Sequence, residues 1–240
     1  MAAPTATLAA IPPTGLPMIV VHHLENSRSQ RILWLLEELG VPYEVRRYAR
    51  DPKTLLAPPA LKAVHPLGKS PVISDDGEVI AETGAIIEHL VERHGGGRLM
   101  PPAGSREHRR CRYWLHYAEG SLMPLLVMKL VFGKTTMAPT PWLIRPIARA
   151  IASGVGQWYL DPNLKLHLGV IEAELGATGW LVGADLTAAD VIMSFPLEAA
   201  VARGGADAGY PNIAAFLARL RARPAWQAAL ARGGPYQLLR

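Results

Sequence analysis

Four short segments of this 240-residue chain hold side chains able to do chemistry at a backbone position that suits them. Ser27 lies at the turn between an apolar run, residues 18–24, and an amphipathic stretch, four residues before Arg31. Backbone N–H groups at a helix start carry partial positive charge and favour an anion. A serine hydroxyl placed there can donate to a thiolate. Ser27 or Ser29 can equally serve as an ordinary helix cap. The second segment is Lys69-Ser70-Pro71-Val72. X–Pro bonds are where cis peptides occur. A cis bond at Ser70–Pro71 would offer the Val72 backbone N–H and C=O to an extended peptide, which would pair as a short added strand. An ordinary trans proline opening an edge strand is the alternative, and base rates favour it. The third is Glu82-Thr83, just before a helical pattern. Thr83 suits a carboxylate and Glu82 an ammonium, together the α-amino-acid end of a ligand. Both residues could also merely complement the helix dipole. The fourth, Thr187-Ala188-Ala189-Asp190, reads as a capping box with a structural role and no chemistry.

The elements that would hold these residues follow from periodicity. Residues 18–24 (MIVVHHL) read as a buried strand. Ile32, Leu35, Leu36 and Leu39 repeat at helical spacing, with Gly40 past the end. A second strand restarts at residues 41–45. Strand, helix, strand within about 30 residues is a βαβ unit with parallel strands. Residues 71–74 and 78–80 flank Asp75-Asp76-Gly77, a hairpin signal. A helix is predicted from about 82 to 93, faced by Ile86, Ile87, Leu90 and Val91. Beyond the linker at 101–104 no strand pattern is convincing. A long helix is expected over 105–132, interrupted at Gly120 and Pro124, with further helical patterns at 164–175, 187–202, 213–222 and 225–231. An α/β unit, residues 18–95, is therefore expected to precede an all-helical one, residues 105–240.

Half of the residues are hydrophobic, which excludes disorder of the whole chain. The single cysteine, Cys111, excludes a disulfide framework, a CxxC redox pair and a thiolate-rich zinc site. A net charge of +5 is too mild to imply nucleic acid without a basic stripe. Residues 18–95 hold nine Lys/Arg and eleven Asp/Glu, net −2, and the rest of the chain carries +7, a contrast that fits two units. No stretch of about 20 apolar residues is free of charge or proline, so no transmembrane helix is expected. Residues 1–17 carry no charge and four prolines, and read as a mobile, disordered extension.

In order and spacing, the strand, the Ser27 helix start, His65-Pro66, Lys69-Ser70-Pro71-Val72, the hairpin, Glu82-Thr83 and Thr187-x-x-Asp190 together resemble a cytosolic-type glutathione transferase. The likeness covers about residues 18–232 and is closest to a serine-type subgroup found in fungi and bacteria. It implies a thioredoxin-like N-terminal domain, an all-α C-terminal domain, a homodimer, a cytoplasmic location, glutathione as co-substrate and no metal. Carried over by position, Val72 pairs with the cysteinyl backbone of glutathione. Glu82 and Thr83 hold the γ-glutamyl end. Lys69 lies near the glycyl carboxylate, joined by Lys53 or His65. Ser27 points at the sulfur, with Asn26 and Ser29 as the alternatives in that turn. Pro71 is structural.

A free thiol, with a pKa of about 8.5, is mostly protonated at neutral pH. Lowering it by about 2 units takes roughly 2.7 kcal/mol of preferential interaction. One charge-assisted hydrogen bond of roughly 1.5–3 kcal/mol plus the helix start suffices. The thiolate then attacks a small hydrophobic electrophile, or an organic peroxide. Tyr113, His116 and Tyr117 on the first long helix are candidates for the second-substrate pocket. Residues 142–151 (WLIRPIARAI) could cover the site, rest on a membrane surface, or be core. The rival reading is a non-catalytic glutathione-binding or protein-interaction module on the same fold.

Overall fold

The computed structural model describes residues 19–52, 54, 56–203, 209–234, 236 and 238. The expected tail, residues 1–17, and Lys53 lie outside these. The apolar run forms β1 (Ile19–Leu24), buried along its whole length. After it come α1 (Gln30–Leu39) and β2 (Tyr43–Tyr48), which pairs parallel with β1 from Ile19 opposite Tyr43 to Leu24 opposite Tyr48. Gly40 ends α1 at φ +63°, a left-handed conformation that glycine adopts without Cβ strain. A short helix, α2 (Pro59–Val64), leads to β3 (Val72–Asp75) and β4 (Glu78–Ala81). Asp76 and Gly77 both take positive φ, as a tight hairpin turn demands. The sheet order is β2-β1-β3-β4, with β3 antiparallel to both neighbours. β3 is thus interior, and the edge-strand reading of Pro71 is corrected. Ser70–Pro71 is cis. The first unit closes with α3 (Thr83–His94), whose Ile86, Ile87, Leu90 and Val91 are buried as the periodicity requires.

The second unit is all helical: α4 (Arg106–Tyr117), α5 (Met123–Thr135), α6 (Arg145–Val155), α7 (Asp161–Thr178), α8 (Ala188–Ala202), α9 (Pro211–Arg221) and α10 (Pro224–Gly233). The expected interruption of the long helix is a π-helical turn, Ala118–Leu122, between α4 and α5. Met123 N–H reaches back to the Ala118 carbonyl there. Pro124 follows at once, and the wider turn relieves the clash its ring would cause with the preceding turn. The same device recurs at Gly156–Leu160, ahead of Pro162.

α8 is the axis of the unit, with Ala188 through Ala200 buried. The capping box at its start has the Thr187 N–H donating to Asp190 Oδ2 at 2.7 Å, and the Leu181 N–H donates to Oδ1 at 2.9 Å. Between the units, Trp34 of α1 meets Trp226 of α10 edge to face at 5.0 Å. Segment 142–151 is not core. No residue of α6 is buried, and Trp142, Leu143, Ile144, Ile147 and Ile151 are all at least half exposed. Among the described residues, no helix is long and apolar enough to cross a membrane.

Candidate active site

A cavity of about 470 Å³ opens where the β1–α1 turn, the cis-proline loop and the start of α3 face α5 and α8. Asn26, Ser27, Lys69, Pro71, Val72, Glu82 and Thr83 all line it. Of the residues predicted to bind glutathione, these are thus brought together, and Ser29 does not line the cavity; Lys53 lies outside the described residues.

Ser27 is 5 % exposed and sits at the seam between the turn and the loop. Its Oγ is 2.8 Å from Ser29 Oγ and 3.2 Å from Ser70 Oγ, and it accepts the Ser29 N–H at 3.3 Å. Ser29 stands at the helix start but its side chain caps nothing. It is fully buried and turned inward to His23 Nδ1 at 2.9 Å. Burial, with the Arg47 charge second, lowers the His23 pKa to about 4, so the ring behind Ser29 is neutral at physiological pH.

Glu82 precedes α3 with φ +72°, rare for a residue with a side chain, and this sets its exposed carboxylate on the rim of the cavity. Thr83 is buried beside it, and its Oγ1 accepts from Arg31 Nη2 at 3.4 Å. Val72 heads β3 opposite His22 of β1 and Ala81 of β4. Arg28, Arg50, Lys69 and Arg203 give the walls a cationic excess over Glu82. Near Lys69, His65 lines the cavity, and its buried Nδ1 has no hydrogen-bond partner on the protein.

Sequence reasoning missed Arg31 and Glu119, which brace the site from below. Arg31 is 1 % exposed. It donates to Glu119 Oε1 at 2.6 Å and to the Ile192 carbonyl at 2.5 Å. That carbonyl needs an outside donor because Pro196, four residues on in α8, has no N–H to offer it. Arg28 also pairs with Glu119, at 3.1 Å. Glu119 itself stands in the π-helical turn. A proline inside an otherwise helical pattern was the signal available in sequence.

The structure does not bring Tyr113, His116 and Tyr117 to the cavity. Tyr117 is buried and hydrogen-bonded to His167 of α7. Tyr113 stacks on it, and His116 is exposed elsewhere on α4. The π-helical turn changes the helical phase between α4 and the cavity, so a face extrapolated from α4 misses it. The apolar wall is supplied instead by Met123, Val127 and Leu130 of α5 and Phe195 of α8.

Two family descriptions match this chain: the glutathione S-transferase N-terminal domain over residues 27–93, and the glutathione S-transferase C-terminal domain over residues 159–224. Glutathione S-transferase 3 of Schizosaccharomyces pombe is 39 % identical, over 87 % of this chain and 85 % of the relative. Glutathione S-transferase 1 of Saccharomyces cerevisiae is 34 % identical, over 89 % and 94 %. The chain belongs to the glutathione S-transferase family. The crystal structure of a glutathione S-transferase from Actinobacillus pleuropneumoniae superposes with a TM-score of 0.73 at 32 % identity, covering 90 % of this chain and 93 % of that one. The protein is a glutathione transferase, with glutathione as its co-substrate and the thioredoxin-like plus all-α architecture of the family.

Proposed function

We propose that Ser27 is the residue that holds the glutathione sulfur ionised, and that the thiolate attacks a small apolar electrophile lying against Met123, Val127, Leu130 and Phe195. One observation carries this reading. Ser27 lines the cavity, whereas Ser29 does not and has its hydroxyl buried and engaged with His23. Bound glutathione with an ionised sulfur carries three negative groups and one ammonium. Lys69, Arg28, Arg50 and Arg203 complement the first, and Glu82 the second. The γ-glutamyl end lies at Glu82 and Thr83, the cysteinyl backbone at Val72, and the glycyl carboxylate at Lys69 and His65.

Ser27 acts as a donor and forms no bond to the electrophile. Its hydroxyl, in contact with the neutral Ser29 Oγ, points its proton at the charged sulfur, since hydrogen bonds to an ion are about twice as strong. The cis-proline loop and the neutral His23–Ser29 pair keep its oxygen in place. The same thiolate reduces organic peroxides, with a second glutathione closing the cycle as the disulfide. The enzyme works as a homodimer in the cytoplasm.

The test is Ser27→Ala beside Ser29→Ala and Asn26→Ala. Ser27→Ala lowers kcat for a chlorinated nitroaromatic ten-fold or more, with glutathione affinity within about three-fold. It also abolishes the ultraviolet thiolate band of the complex at pH 7. Loss of that band in Asn26→Ala or Ser29→Ala, with Ser27→Ala unchanged, would sink the assignment.

A further inference from the structure

We infer that Asp75, His89 and His94 form a binding site for one divalent transition-metal ion of the zinc class, separate from the glutathione cavity. Asp75 closes β3 with its side chain fully buried, and the two histidines project from the C-terminal half of α3. Both Nε2 atoms lie 2.7 Å from the same oxygen, Asp75 Oδ2. The three ligand atoms fall within 4.8 Å of one another. The second carboxylate oxygen, Oδ1, is buried and has no partner. A carboxylate held only for hydrogen bonding would not crowd two imidazoles onto one oxygen and leave the other bare in a desolvated place. A metal ion uses such a set well.

Two imidazoles and a carboxylate suit zinc better than magnesium or calcium. Zinc bonds of about 2.0–2.2 Å place ligand atoms about 3.3 Å apart, so each histidine withdraws from Oδ2 by about half an ångström and ligand atoms now up to 4.8 Å apart draw together. Each neutral ring then coordinates through the Nε2 lone pair and carries its proton on Nδ1. The two N–H···O bonds give way to two N–metal bonds. Among the described residues, Arg93 is the cation paired with the cluster, with Nε 3.8 Å from Oδ2. Its guanidinium is already paired with Asp76 at 2.5 Å. The histidine side chains are 20 % and 14 % exposed, which leaves water a path to the remaining coordination position. None of the three ligands lines the glutathione cavity. A bound ion would tie the β3–β4 hairpin, which runs between Val72 and Glu82, to the far end of α3. The inference stands independently of the thiolate assignment.

The experiment uses untagged, chelator-treated full-length protein. Zinc chloride is titrated by calorimetry, and cobalt(II) serves as an optical probe. One equivalent of zinc is expected to bind, the melting temperature to rise by about 5 °C or more at a hundred-fold excess over Kd, and cobalt to develop the visible bands of a four-coordinate ion. His89→Gln and His94→Gln each weaken binding at least a hundred-fold and keep conjugation activity within two-fold. No heat and no cobalt bands in the parent protein would overturn the site. So would unchanged affinity in both glutamine variants. The histidine variants carry the test even if Asp75→Asn fails to fold.

Discussion

Ser27 and Ser29 look alike in sequence, and what separates them is the side chain behind. His23 is on β1, and it receives Ser29 in the interior while Ser27 stays at the cavity wall. Burial keeps that imidazole neutral to about pH 4, against 6.5 in its ordinary state. The unfolded chain therefore takes up the proton first as pH falls. The stability due to neutral His23 is whole above pH 6.5 and is lost on the way down to pH 4. Asp190 works in the opposite sense. Burial pushes its carboxyl up to about 6, so the folded state protonates first and gains stability as pH falls from 6 towards 3.8. The two trends overlap, so the comparison must be made against His23→Asn. The stability advantage of the parent over that variant is expected to shrink by about 3 kcal/mol between pH 7 and pH 4 in urea titrations. A difference that is constant with pH would refute a neutral buried ring. No sequence pattern separates His23 from its neighbour His22, because burial behind a serine is a property of the assembled sheet.

At the scale of elements, the prolines of the helical unit organise the site. Pro196 leaves the Ile192 carbonyl bare, and Arg31 fills the gap from the other unit. Arg31→Met is expected to cost about 3 kcal/mol, since it strands that carbonyl and leaves Glu119 with Arg28 as its one remaining ion-pair partner among the described residues. In a Pro196→Ala background the restored N–H serves the carbonyl, and the cost of Arg31→Met should drop by about 1–2 kcal/mol. A double-mutant cycle in urea measures this, and strict additivity would disprove the link. At the start of α8, Thr187→Ala should cost about 1 kcal/mol, as lost caps do. Asp190→Ala should cost about 2–4 kcal/mol, because two buried N–H groups lose their acceptor. Equal melting temperatures for these two variants would contradict the hydrogen-bond geometry. Most strands and helices were legible from period and punctuation: the βαβ unit, the Asp-Asp-Gly hairpin and the buried face of α3. Phase was not. An interruption was expected, but not that it is a π-helical turn at Ala118–Leu122, whose extra residue rotates α5 relative to the face of α4 that carries Tyr113, His116 and Tyr117.

At the scale of the molecule, the sites that escaped the sequence join residues from separate elements. Arg31 and Glu119 meet across the two units, and Asp75 meets His89 and His94 only because the hairpin folds over α3. Such sets have no fixed spacing to read. The glutathione-binding residues were readable because each belongs to a short local motif. α6 keeps no side chain buried, Ile147 and Ile151 lie one turn apart on its exposed surface, and Trp142 and Leu143 are exposed in the turn just before it. Leu56 and Leu67 are about 60 % exposed in the loops around α2. Apolar surface on this scale fits an associating protein. Light scattering is expected to give twice the 26.0 kDa of one chain, and a strict monomer at micromolar concentration would exclude the homodimer.

The lone cysteine completes the picture. Cys111 is fully enclosed in α4, and burial pushes its thiol up to about 11. An alkylating compound that enters the cleft therefore meets one thiol, that of glutathione, and that sulfur leaves with the product. The catalyst offers no thiolate of its own to be consumed, so repeated turnover on harsh reagents need not inactivate it through a cysteine.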